Sequence, residues 1–171
     1  LIERLGKLGK KMILVLEIGK PVDLTVEEPL CDGIMTAWFG GERGAEAITE
    51  VLFGDYNPSG RLNVSFPRNV GSIPCYYSML PGGAQEDYEG TKHARYPFGY
   101  GLSYTTFAYS NLRTERRGRC DFDVTVTVEN TGKWDGDDVP QLYIDDVASS
   151  VVTPPVLLKS FERVHLAAGE Q

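Results

Sequence analysis

The stretch YPFGYGLSYTTFAYSNL, Tyr96–Leu112, carries six aromatic residues and two glycines and no charge at all. The chain before it is built from apolar runs and helical stripes, and the chain after it alternates with period two. A neutral, aromatic segment lies where two such halves of the sequence join, and by that place in the chain it is called the joint. Phe98, Tyr100, Tyr104, Phe107 and Tyr109 bring large apolar area with hydroxyls that reach backbone partners.

Working back from the joint, residues 12–18 (MILVLEI) form a near-continuous apolar run of strand length, as expected of a strand covered on both faces in a parallel sheet. Gly19 and Pro21 stop it. Ahead of it, Leu1, Ile2, Leu5 and Leu8 make a helical stripe, and the chain opens directly inside that pattern, so its beginning is expected to lie upstream. A weak helical turn is expected near 24–30, then a second strand over 33–39 (GIMTAWF). GGERG turns into AEAITEVLF, where Ala45, Ile48, Val51 and Leu52 keep helical spacing. Gly54 suits a helix C-cap. Strand, crossover, strand and helix are the signature of an α/β layer. RLNVSF, 61–66, alternates and predicts a short strand, whereas 67–96 holds no period and reads as a long loop.

Forward of the joint, Phe122, Val124, Val126 and Val128 alternate with polar neighbours, and so do residues 137–147. NTGKWDG between them has turn chemistry, and LLKSFERVHL offers a further strand. RTERRGR, 113–119, reads as a solvated loop. The pattern is half a β-sandwich. Only 61 residues (171 minus 110) follow Ser110, against the roughly 100 of a seven-stranded sandwich, so this unit is expected to stop partway.

Composition excludes several classes. A net charge of −7 and a pI near 4.9 argue against nucleic acid, and no apolar run reaches the roughly 20 residues of a bilayer span, so no membrane partner is expected. Cys31, Cys75 and Cys120 are far apart and form no CxxC or Cys/His cluster. No metal and no cofactor are expected. An odd thiol favours a reducing compartment, the cytoplasm over periplasm or secretion.

Three blocks in order, VLFGDYNPSGRLNVSFP, YPFGYGLSYTTFAYSNL and VTVTVENTGKWDGDDVPQLYI, resemble glycoside hydrolase family 3, and AWFGGERGAEAI resembles that family's strand–turn–helix block, with Gly40 where many members carry Pro. The likeness runs from near Leu1 to Gln171. It implies a partial α/β sandwich domain with a mostly parallel sheet and flanking helices over 1–95. The joint would occupy 96–112, and a truncated fibronectin type III-like sandwich 113–171. It further implies part of a retaining, exo-acting β-glycosidase that removes terminal β-linked glucose or xylose. Such enzymes need two carboxyl groups roughly 5 Å apart. The resemblance places one in an N-terminal barrel and the other in a loop upstream of Leu1, so no residue here is assigned a catalytic role. The expected partners are the β-glycoside or oligosaccharide, the barrel domain, and further copies of the chain through exposed sandwich edges. The alternative is a non-catalytic carbohydrate-binding or scaffolding module, with the aromatics of the joint as a sugar-stacking platform. An unrelated flavodoxin-like domain fused to a β-module leaves the three ordered blocks unexplained.

The candidate substrate-binding residues follow from position. Glu42 lies at the carboxyl edge of a strand, where open α/β sheets bind ligands, although it also suits the start of a helix and its dipole. Trp38 suits sugar stacking or a buried strand core. Glu86, Asp87, Tyr88 and Glu89 fall in the long loop, as pocket rim or solvated charge. His93 has no neighbour suited to a triad or metal. Asp137, Asp138, Asp145 and Asp146 lack calcium-ligand spacing and read as negative strand edges.

Overall fold

The structure, a computed structural model, describes residues 1–80 and 94–171. The N-terminal part holds α1 (Ile2–Gly6), β1 (Ile13–Leu16), β2 (Gly33–Thr36) and α2 (Gly44–Phe53), with short 3₁₀ turns at Glu28–Leu30 and Val70–Ser72. β1 and β2 pair in parallel from Ile13↔Gly33 to Leu16↔Thr36, as the two apolar runs predict, and the Ala37 N–H donates to Leu16 O at 2.8 Å to extend the ladder by one residue. The crossover between them is tied to the sheet by Asp32, whose carboxylate takes the Met12 N–H and the Lys11 ammonium. Both strands are half-buried rather than covered on both faces.

α2 forms where the sequence places it. Arg43 precedes it and its guanidinium pairs with Glu46 in the first turn, with Nε 2.6 Å from Oε2. Gly54 ends it in the left-handed region (φ 85°), its N–H donating to Val51 O, a conformation that costs a side chain about 1–2 kcal/mol. RLNVSF, by contrast, is not a strand. Leu62 N donates to Tyr100 O, Gly99 N to Leu62 O and Phe66 N to Tyr96 O, so the segment docks on the aromatic joint, with a single bridge at Phe66–Tyr96. Pro67 and Pro97, which lack N–H donors, prevent that bridge from growing into a ladder.

The C-terminal part consists of three antiparallel ribbons. β3 (Phe107–Arg116) pairs with β4 (Phe122–Asn130), β5 (Gly136–Asp138) with β8 (Val164–Leu166), and β6 (Gln141–Ile144) with β7 (Leu157–Phe161). Three expectations change here. Arg113–Arg116 belong to strand β3, paired with Phe122–Thr125, rather than to a solvated loop. The strand expected over 137–147 divides at Val139–Pro140, because proline cannot donate to a ladder. NTGKWDG does not close a β4–β5 hairpin, since β5 turns to β8. Asn130, fully buried, governs that turn: its Oδ1 accepts from the Thr105 hydroxyl and Gly132 N, and its Nδ2 donates to Trp134 O and Leu166 O.

Among the described residues the buried apolar side chains are Leu24, Phe66 and Leu166, and only Phe66 is a large one at 2% exposure. Phe66 sits where the two halves of the chain meet, its ring 6.0 Å from Trp38 and 6.4 Å from Tyr96. Leu1, Phe39, Phe53, Leu102, Leu112, Trp134, Val147 and Phe161 stand exposed. The core is therefore smaller than the composition suggests.

Candidate functional site

The carboxyl ends of β1 and β2 lie side by side because the pairing is parallel and in register. The chain leaves β1 through Glu17–Gly19 and β2 through Ala37–Arg43, and these two exits make the edge where open α/β sheets take ligands. Trp38 is not part of β2. It follows the strand with φ 51°, an uncommon conformation for a bulky residue that costs about 1–3 kcal/mol and that clusters at functional sites. Its indole is half-buried and tilted 48° against Phe66. The next residue, Phe39, is 84% exposed and lies over Gly19, where an added Cβ would come within 2.7 Å of Phe39 Cζ. The two strand exits thus meet through an aromatic ring on a glycine. Gly40 passes equally close to the first helical residue, Gly44, leaving no room there for a side chain.

Glu42 is exposed at this edge and has no hydrogen-bonding partner among the described residues. The first-turn acid of α2 is Glu46, paired with Arg43, so the helix-start role considered for Glu42 belongs to Glu46. A solvated carboxylate with a free approach can receive sugar hydroxyls.

Glu86, Asp87, Tyr88, Glu89 and His93 lie outside the described residues. The flanks of that segment are anchored. Tyr77 stacks on Phe98 with ring centroids 4.3 Å apart. On the other side Arg95 grips Glu28 with both arms of its guanidinium, Nε to Oε2 at 2.6 Å, and the Tyr96 phenol faces the same carboxylate. The Arg95 hydrogen bonds hold the Glu28 carboxyl below its ordinary range, and burial together with Glu28 pushes the Tyr96 phenol up. Thr25 and Val70 N both bond to Asp23, whose pKa is lowered by those contacts. Each of these carboxylates is committed to holding loops around the edge.

A second polar constellation, absent from the sequence reading, joins the two halves. Asp138, read there as a negative strand edge, is 4% exposed, and its Oδ1 lies 2.5 Å from Arg61 Nη2. The Tyr109 hydroxyl donates to its other oxygen, and Val139 N to Oδ1 at 2.8 Å. Burial and the Asp138 charge together push the Tyr109 phenol far above its ordinary value. Beside it, Asn57 accepts from the Ser103 hydroxyl and Tyr104 N and donates to Asp135 O. Asp145 and Asp146 are exposed but follow β6 rather than lie in it. The available signal was an arginine and an aspartate inside otherwise apolar alternation, but their partnership spans 77 positions. The groove along this seam, about 940 Å³, is lined by Tyr77, Phe98, Tyr100, Gln141 and Tyr143, with Gln141 spent on Gly99 O and the Tyr143 hydroxyl.

The aromatic joint, the parallel edge and the three ribbons match known proteins across the whole chain. The profile of the Glycosyl hydrolase family 3 C-terminal domain matches residues 1–104, and that of the Fibronectin type III-like domain residues 138–171. The chain belongs to glycoside hydrolase family 3. It is 43% identical to the periplasmic beta-glucosidase of Salmonella typhimurium over 187 residues, covering 100% of this chain and 24% of that protein. It is 40% identical to a beta-xylosidase of Formosa agariphila, covering 99% and 24%. Among solved structures it is similar to a β-glucosidase of Erythrobacter marinus, with a TM-score of 0.92 and 42% identity over 98% of this chain and 23% of that one. A beta-glucosidase of Listeria innocua in complex with glucose gives 0.87 and 31%, over 99% and 25%. The chain spans about a quarter of the length of these relatives.

Proposed function

We propose that the chain is part of a retaining, exo-acting β-glycosidase that releases terminal β-linked glucose or xylose, and that it supplies one wall of the substrate crevice without the bond-breaking acids. The supporting observation is end-to-end similarity to enzymes named beta-glucosidase and beta-xylosidase, at 43% and 40% identity. In this reading residues 1–95 are the α/β portion, 96–112 the joint and 113–171 the fibronectin-like portion. Trp38 and Glu42, at the carboxyl edge of β1 and β2, face the sugar: Trp38 fixes the exit from β2 and Glu42 receives hydroxyls. Double displacement needs a nucleophile and an acid/base held about 5 Å apart, and among the described residues no carboxylate is hydrogen-bonded to Glu42. In this reading, as the family resemblance implies, both acids belong to the other three quarters of the enzyme. The purified chain is expected to give no turnover of aryl β-glucosides or β-xylosides above a buffer control. Hydrolysis that follows the protein through stringent purification overturns the assignment.

A further inference from the structure

We propose that Asp138 is a latch that makes the α/β part and the β-ribbon part open as one cooperative unit. This inference is independent of the sugar chemistry above. Three separate segments supply the donors that saturate this carboxylate, the one buried carboxylate among the described residues: Arg61 from the turn after α2, Tyr109 from β3, and Val139 N just after β5. The Arg61 side chain is itself only 15% exposed, and its Nη1 reaches Ser59 O and Gly60 O, so it holds its own turn while it holds Asp138. The surrounding backbone is closed to match. A Cβ at Gly101 would collide with Gly60 O, one at Gly99 with Gln141, and one at Gly136 would come within 2.6 Å of Asn57 Nδ2. A buried charge that loses its partner is strongly destabilising, so neither half can leave the seam without stranding Arg61 or Asp138. Opening one side therefore exposes an uncompensated charge on the other.

Native-state amide exchange on the whole chain tests the latch, because it reads local opening on each side separately. Ala37, bonded to Leu16 O, reports the α/β part, and the β4 amides paired with β3 report the ribbons; neither set is bonded to Asp138. In the wild type the two sets are expected to share one opening equilibrium. In Asp138→Asn the β4 amides are expected to lose roughly a hundredfold protection relative to Ala37, the scale of breaking a buried pair. Tyr109→Phe, which keeps the ion pair between the halves and removes one donor inside the ribbon part, is expected to lower protection on both sides equally, by about tenfold, and guards against a variant that fails to fold. Two distinct opening equilibria in the wild type, or unequal losses on the two sides in Tyr109→Phe, overturn the proposal.

Discussion

Glu28 shows how one side chain organises the edge. It lies in the crossover between the parallel strands, yet its partners, Arg95 and Tyr96, come from the far side of residues 81–93. Arg95 lowers its pKa first, and the Tyr96 phenol adds to that, below an ordinary value of 4.5. A depressed carboxylate contributes stability above its unfolded pKa and loses it as pH falls through the folded one. The window therefore opens just under pH 4.5 and extends downward. Glu28→Gln is expected to lower stability near neutral pH by about 1 kcal/mol or less, given the partial exposure of Arg95. It is also expected to flatten the acid limb of the Tm-versus-pH curve. An acid limb identical to that of the wild type would show that another group carries it.

At the scale of elements, α2 and the parallel pair owe their form to local pattern. α2 has helical spacing and a glycine at its C-cap, and both were readable in the chain. Gly54→Ala is expected to cost about 1–2 kcal/mol, since the left-handed cap strains any Cβ, and to lower Tm by a few degrees in a thermal melt followed by circular dichroism. RLNVSF had equal alternation and failed to become a strand. Its partners are the joint backbone at Tyr96 and Tyr100, interrupted by prolines, and period alone does not register what sits opposite. The divided strand at Val139–Pro140 has the same origin, for one proline outweighs a good alternating pattern.

The whole molecule shows wide apolar exposure, with few buried apolar side chains among the described residues and large ones in the open on both halves. Among the described residues β3 and β4 form a ribbon with no third strand in their sheet, which leaves each an outer edge. Such surface drives association through the hydrophobic effect. Static light scattering on the purified chain is expected to give a mass above one protomer that grows with concentration. A monodisperse monomer at high concentration would show that these faces are self-sufficient.

The amino-acid order alone determined what depends on near neighbours: the apolar runs, the α2 pattern with its glycine cap, the aromatic joint, and the three ordered blocks that mark the family. Those features need only residues a few positions apart. Tertiary structure decided that Asp138 is buried rather than a solvated strand edge, that Trp38 leaves the strand in a strained turn against Phe66, and that Glu28 belongs to Arg95. Whether a charge is solvated or locked in the interior depends on the partner the fold brings to it. For Asp138 that partner lies 77 residues away, beyond the reach of any local pattern.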